Sequence, residues 1–239
     1  MVNLLGFNIL DCSKSEYIDN LMEQYKSGKK VIILSGNPEI LYNASNLKEV
    51  KTLFSESDII PDGIGVIAAG RIIKQPFKEK IAGIEVMEEI LKQSEKNGMK
   101  VYMLGAEERV LKEAALECTI RYGALIKGYH SGYFSLENCQ EIIDDINGSA
   151  ADVLLVGMGC PRQELFIARY RHLLKCNIMM GVGGSFDVLA GKVKRAPRWM
   201  ISIGMEWLYR VINEPARIVR LTSIPKFLFK VMLNRKNNG

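Results

Sequence analysis

Five short stretches of the chain are almost continuously apolar: KVIILSG (30–36), SDIIP (57–61), KVYMLGA (100–106), ADVLLVGMG (151–159) and NIMMGVGG (177–184). Each ends in a small residue or a turn. Unbroken apolar runs of this length predict strands buried on both faces, as in a parallel sheet covered by helices. Between them the periodicity changes. SKSEYIDNLMEQYKSG (13–28) opens with a capping box, Ser13 with Glu16, and stops at Gly28. GIEVMEEILKQSEKNG (83–98) and EERVLKEAALECTIRYG (107–123) also carry apolar residues at helical spacing and end at glycine, the usual residue after a helix. Strands alternating with helices predict an α/β fold: a Rossmann-like, mostly parallel sheet with helices on both faces.

The pattern changes near residue 192. RWMISIGMEWLYRVINE (198–214) and SIPKFLFKVMLNRK (223–236) read as helices dense in aromatic and basic residues, punctuated by Pro215 and Pro225. The chain is therefore read as an α/β domain, 1–191, followed by a helical C-terminal appendage, 192–239. Charge supports the division. Residues 1–191 carry 21 Lys+Arg against 25 Asp+Glu, a net of −4, while 192–239 carry 11 against 2, a net of +9. Such a tail calls for an anionic partner. No helix-turn-helix, zinc or RNA-recognition pattern accompanies it, so nucleic acid is not expected.

Composition excludes several classes. No apolar run reaches the ~18 residues of a membrane span, and the start MVNLLGFNILDCSKSEY lacks the basic and apolar regions of a signal peptide. Five widely spaced cysteines with no C-x-x-C read as reduced cytosolic thiols. The two histidines, His130 and His172, lack ligand-spaced partners, so no metal site is expected.

Chemistry in an open parallel sheet sits beyond the C-terminal strand ends. Four loops leave those ends. In LSGNPEI (34–40), Asn37 reads as a helix cap before Pro38, or as an amide that meets a sugar hydroxyl. In PDGIG (61–65), Asp62 reads as a turn residue capping the next helix, or as a general base. In LLVGMGCPRQE (154–164), Gly157, Gly159 and Pro161 turn into a helix whose first turn holds Gln163 and Glu164, an anion site whose G-x-G-x-x-G is incomplete. In GVGGSFDVLAGKVKRAP (181–197), Gly183 and Gly184 allow close backbone approach. Asp187 there either holds a ribose hydroxyl or complements its helix dipole. The residues alone leave open a nucleotide-sugar transferase, a nucleotide-dependent oxidoreductase and a nucleotide-sugar binding module. No D-x-D motif is present, so a departing diphosphate would be met by Arg and Lys.

PDGIGV, GMGCPRQE, GVGGSFDVLAGKVKRAP and GMEWLYRVINEPARIVR, in this order and spacing, resemble the signature of the WecG/TagA/CpsF glycosyltransferases, glycosyltransferase family 26. The resemblance covers essentially the whole chain. It implies an inverting, metal-independent enzyme without a cofactor. Such an enzyme moves a sugar from a UDP-sugar to an undecaprenyl-diphosphate-linked acceptor at the inner membrane face. In Gram-positive relatives that sugar is N-acetylmannosamine, added to lipid-linked N-acetylglucosamine for wall teichoic acid; other relatives use a uronic acid or other sugars for other surface polysaccharides. By the same resemblance Asp62 is the general base, and Asn37, Ser35 and Gln163 line the pocket. By it, too, Tyr133 and Asp187 meet the uridine; Gly159, Gly183 and Gly184 are expected from their own loops, where the backbone can approach closely, to contact substrate. Arg210, Arg217 and Arg220 fold over the diphosphate. Relatives often read E-R-x-x-G-x-D where this chain has Glu79-Lys80-Ile81-Ala82-Gly83-Ile84-Glu85. Lys80 keeps the charge of arginine but not its fork. The appendage is expected to close the site and to touch anionic lipid, and self-association is expected of such a protein.

Overall fold

The computed structural model describes residues 1–44, 47–202, 205–213 and 222–237. An eight-stranded sheet runs through it in the order β1-β2-β4-β3-β8-β7-β5-β6. The five strands expected from apolar runs are its centre: β3 (Val31–Ser35), β4 (Asp58–Ile60), β5 (Lys100–Gly105), β7 (Val153–Gly157) and β8 (Ile178–Gly181). All pair in parallel. Alternate side chains enter opposite layers. Ile32, Leu34, Leu154 and Val156 join one apolar cluster, and Val31, Ile33, Val153 and Leu155 join the other. This two-sided burial is why these runs show no polar alternation.

Three strands were not evident in the sequence. β1 (Val2–Leu4) and β2 (Phe7–Ile9) form an antiparallel hairpin at one edge. Leu5 and Gly6 turn it, both at positive φ (56° and 87°), as a two-residue hairpin requires. β6 (Leu125–His130) is the other edge strand, half-exposed along most of its length, and it reads as LIKGYH without a continuous apolar run.

Helices cover both faces. The first layer is built on α2 (Pro38–Ala44), α3 (Lys48–Ser55), α4 (Ile64–Ile72), α7 (Gln140–Gly148) and α8 (Arg162–Tyr170). The second is built on α1 (Lys14–Lys26), α5 (Gly83–Asn97), α6 (Glu108–Tyr122) and α9 (Ser185–Leu189). The capping box of α1 is present, with Ser13 N donating to Glu16 Oε2 at 2.8 Å and Glu16 N donating to Ser13 Oγ at 3.3 Å. Helices α5 and α6 end at left-handed Gly98 and Gly123, as their sequences predict.

The tail supplies α10 (Arg198–Ser202), α11 (Glu206–Asn213) and α12 (Ser223–Asn237). Pro225 falls within the first turn of α12 rather than marking a break, at a place where a missing N–H costs nothing. α12 lies against α2 and α4. Phe227, 0% exposed, and Val231 enter the first core layer, while Phe229, Met232 and Leu233 face outward. Among the described residues no helix is long and apolar enough to cross a membrane.

Candidate active site

The C-terminal ends of β3, β4, β7 and β8 open onto one cavity of about 310 Å³. Two close glycine contacts pull its walls together. A Cβ on Gly65 would lie 2.5 Å from Pro38 Cγ, so the first turns of α2 and α4 touch only because residue 65 is glycine. A Cβ on Gly83 would lie 2.7 Å from Ser35 Oγ and 3.4 Å from Asp62 Oδ2, so the start of α5 approaches both side chains. Ser35, Asn37, Asp62 and Lys80 thereby line the same cavity.

The capping reading of Asn37 holds. Its Oδ1 accepts from Ile40 N at 2.9 Å, a helix cap, and the residue also lines the cavity. An amide has donors beyond the oxygen that capping uses. Asp62 does not cap the helix that follows it. Gly63, at φ +87°, is the N-cap of α4 and makes no side-chain cap bond. Asp62 Oδ2 instead accepts from Gly83 N at 3.3 Å, at the start of α5. The chain bends at Gly63, and the Asp62 carboxylate lines the cavity beside the start of α5.

Gln163 and the glycine loops form the opposite wall. Gln163, 3% exposed, accepts through Oε1 from Gly183 N at 3.0 Å and donates through Nε2 to Glu164 Oε1 at 2.7 Å. Gly181 leaves room for this amide, since a Cβ there would lie 2.8 Å from Gln163 Nε2 and push it aside. Glu164 is 1% exposed, and its Oε2 has no hydrogen-bond partner. Burial pushes the Glu164 carboxyl up, against the opposing hydrogen bond from Gln163, to about 7.

The tail contributes part of the cavity wall. Glu206, Trp207 and Val211 of α11 and Ser223 and Ile224 of α12 line it. Arg195 ties this wall to the body: its Nη2 meets Glu85 Oε1 at 2.8 Å and its Nε lies 3.8 Å from Glu206 Oε1. Glu85 also pairs with Lys14 at 2.9 Å. Burial raises the Glu85 carboxyl, but Lys14 and Arg195 outweigh it and the net shift is downward. The longer acid at this position is thus engaged by two cations. Arg210 is carried by α11, whereas Arg217 and Arg220 lie outside the described residues.

A second, wider cleft of about 810 Å³ adjoins the first, sharing Gly159, Gly183 and Gly184 with it. Tyr133, 79% exposed, and Asp187 line this cleft and not the first. Asp187 lies 3.6 Å from Lys192 Nζ. Arg162 organises the Tyr133 loop. It donates from Nε and Nη2 to Gly132 O at 3.3 and 3.1 Å and from Nη2 to Phe134 O, and it stacks over the Phe134 ring at 5.2 Å. Sequence reasoning did not single out Arg162, Glu206 or Trp207. Their only signal was membership of the CPRQE and E-W-x-x-R motifs. Among the described residues no group of three His, Cys, Asp or Glu side chains is placed to hold a metal ion.

Residues 2–239 match the family described as Glycosyl transferase WecG/TagA/CpsF. The chain is 34% identical over 238 residues to the N-acetylglucosaminyldiphosphoundecaprenol N-acetyl-beta-D-mannosaminyltransferase of Bacillus spizizenii, covering 98% of this chain and 91% of that protein. A Bacillus subtilis protein of the same name is 36% identical over 226 residues, 93% of this chain and 88% of its own length. A Staphylococcus aureus one is 35% identical over 233 residues, 96% and 91% of the two chains. With its signature loops gathered around one cavity and its similarity running nearly end to end, the chain belongs to the WecG/TagA/CpsF family of glycosyltransferases.

Proposed function

We infer that this enzyme transfers N-acetylmannosamine from its UDP derivative to a polyprenyl-diphosphate-linked N-acetylglucosamine, with inversion at the anomeric carbon and without a metal ion. The observation that carries the reading is the joint between the two clefts. The Asp62 carboxylate lines one, Tyr133 and Asp187 line the other, and Gly159, Gly183 and Gly184 belong to both. A nucleotide seated in the wide cleft would lay its diphosphate across those glycines, where backbone N–H groups and small residues permit close approach. Its sugar would then project toward Asp62.

In the step itself, Asp62 takes the proton from the acceptor hydroxyl as that oxygen attacks the anomeric carbon. The new glycosidic bond forms on the face opposite the departing oxygen. The bond to the diphosphate breaks, and UDP leaves with the electron pair. Lys80, with Arg210, Arg217 and Arg220 of the appendage, would accept the charge that develops on it. The wall formed by Glu206, Trp207 and Ile224 would keep water out of the same cavity. A lipid-linked acceptor brings the reaction to a membrane surface. There the outward residues of α12, Phe229, Met232 and Leu233 with exposed Lys226, would meet anionic headgroups, each basic residue contributing roughly 1 kcal/mol near the surface.

The test is a transfer assay with a synthetic polyprenyl-diphosphate N-acetylglucosamine acceptor, a panel of UDP-sugars and EDTA throughout. Turnover of UDP-N-acetylmannosamine, with the opposite anomeric configuration in the product by NMR, is expected. Turnover of a different UDP-sugar would overturn the donor assignment. Dependence on added metal would overturn the charge-neutralising role given to Lys and Arg. Binding of NADH in place of UDP would overturn the transferase reading itself.

A further inference from the structure

Glu164 has no part in the reaction just described, yet it is among the most deeply buried polar side chains of the described residues. A buried carboxyl with one oxygen unpartnered is a costly thing to place one residue from a pocket amide. Its surroundings do not repay that cost with an ion pair. The groups that face it are the Gln163 amide beside it on α8, the Cys160 thiol in the turn before α8, and the Glu39 carboxylate in the first turn of α2, whose like charge raises it further. None is a cation.

What Glu164 does hold is an orientation. The two ends of a glutamine amide have nearly the same shape and opposite hydrogen-bonding character. Gly183 N–H can only donate, so it requires Gln163 Oε1 to face it. Glu164 Oε1 accepts, so it requires Gln163 Nε2 to face it. The two neighbours agree on one of two otherwise interchangeable states. The consequence is felt at the joint between the clefts, because the same amide fixes the Gly183 loop, and Gly183 lines both. With Glu164 removed, the Gly183 contact alone would hold the amide, and Nε2 would be left to turn toward any acceptor in the cavity.

We propose that Glu164 is a positioning residue for the transfer reaction, its carboxyl locking the Gln163 amide and, through it, the Gly183 loop on which the departing diphosphate rests. This rests on the transferase function inferred above. An ionised Glu164 is the stronger acceptor, so the lock tightens as Glu164 loses its proton and loosens as it gains one.

Two measurements test it, one of them independent of turnover. In the resting protein, the Gln163 side-chain amide resonances are assigned by their disappearance in Gln163→Ala. They should titrate with a midpoint near 7 in wild type and stay flat in Glu164→Gln. In the transfer assay, Glu164→Gln retains an acceptor of the same shape. It should hold kcat, with no acid limb near pH 7, at the level wild type shows on the acid side of that limb and above that of Glu164→Ala. Glu164→Ala removes the acceptor and should lower kcat by about tenfold or more, with KM for the UDP-sugar changed by less than about threefold. Wild-type kcat in Glu164→Ala would overturn the proposal. So would a Glu164→Gln variant as slow as Glu164→Ala, or amide resonances indifferent to pH in wild type. If Glu164→Ala does not fold, the Glu164→Gln pH profile decides. Absence of turnover in wild type would count against the inferred reaction, while the amide titration would still judge the Glu164–Gln163 lock.

Discussion

The environment of Glu164 makes a quantitative statement about stability that needs no substrate. An ordinary glutamate carboxyl titrates at 4.5, and burial holds Glu164 up near 7. That difference, at about 1.4 kcal/mol per pH unit, corresponds to about 3 kcal/mol. The sign follows from which state binds the proton more tightly. Below pH 4.5 the group is protonated in both the folded and the unfolded chain, and it costs the fold nothing through ionisation. Between 4.5 and 7 the unfolded chain releases the proton first, so stability falls as pH rises. Above 7 the full cost of a buried carboxylate is present. Glu164→Gln removes the ionisation and keeps the shape. Relative to wild type, the variant should therefore gain about 3 kcal/mol between pH 4.5 and pH 8. Urea unfolding followed by far-ultraviolet circular dichroism at several pH values reads this directly. The other carboxylates cancel in the difference between the two proteins. A difference that stays constant across the range would refute the buried-acid account.

Other residues give further tests. Phe227→Ala should destabilise the protein by about 3–5 kcal/mol if α12 unfolds with the body; if it docks independently, limited proteolysis should instead clip the appendage while the body's unfolding midpoint holds. Arg162→Lys loses the fork that grips Gly132 O and Phe134 O, so it should raise KM for the UDP-sugar by about tenfold and leave kcat nearly unchanged; steady-state kinetics measures both. Gly83→Ala forces a methyl to within 2.7 Å of Ser35 Oγ, so it should cut kcat by about tenfold or more while the far-ultraviolet spectrum stays that of wild type.

How much of this was legible in the sequence depended on how local each cause was. The five central strands were readable because burial on both faces confines polar residues to the ends of each run. β6 was not, because an edge strand such as LIKGYH carries lysine, glycine and histidine among its apolar residues. The glycine stops of α5 and α6 and the capping box of α1 are short-range devices, and each appears where the sequence put it. Partnerships across long separations were invisible. Nothing local to PDGIG says that Asp62 meets Gly83 N, or that Glu85 reaches Arg195, 110 residues away. Glu164 reads in sequence as an ordinary acid in a first helical turn; only the fold buries it. The tail was readable as a basic aromatic helix, but not as one that turns Phe227 and Val231 inward and leaves Phe229, Met232 and Leu233 outside. The roles given to the site residues came from the family resemblance, and the fold then brought Ser35, Asn37, Asp62, Lys80 and Gln163 around one cavity.

The central claim is that Asp62 takes the acceptor proton. The measurement is the single-turnover rate of sugar transfer to the lipid-linked acceptor by Asp62→Asn against wild type, with UDP affinity measured on the same samples. Asparagine keeps an oxygen for the Gly83 N–H contact but cannot serve as the base. The predicted result is a rate lower by about 10²–10⁴ with UDP affinity unchanged. An Asp62→Asn protein that transfers sugar at the wild-type rate would contradict the account and leave Asp62 as the turn residue its Pro-Asp-Gly sequence first implies.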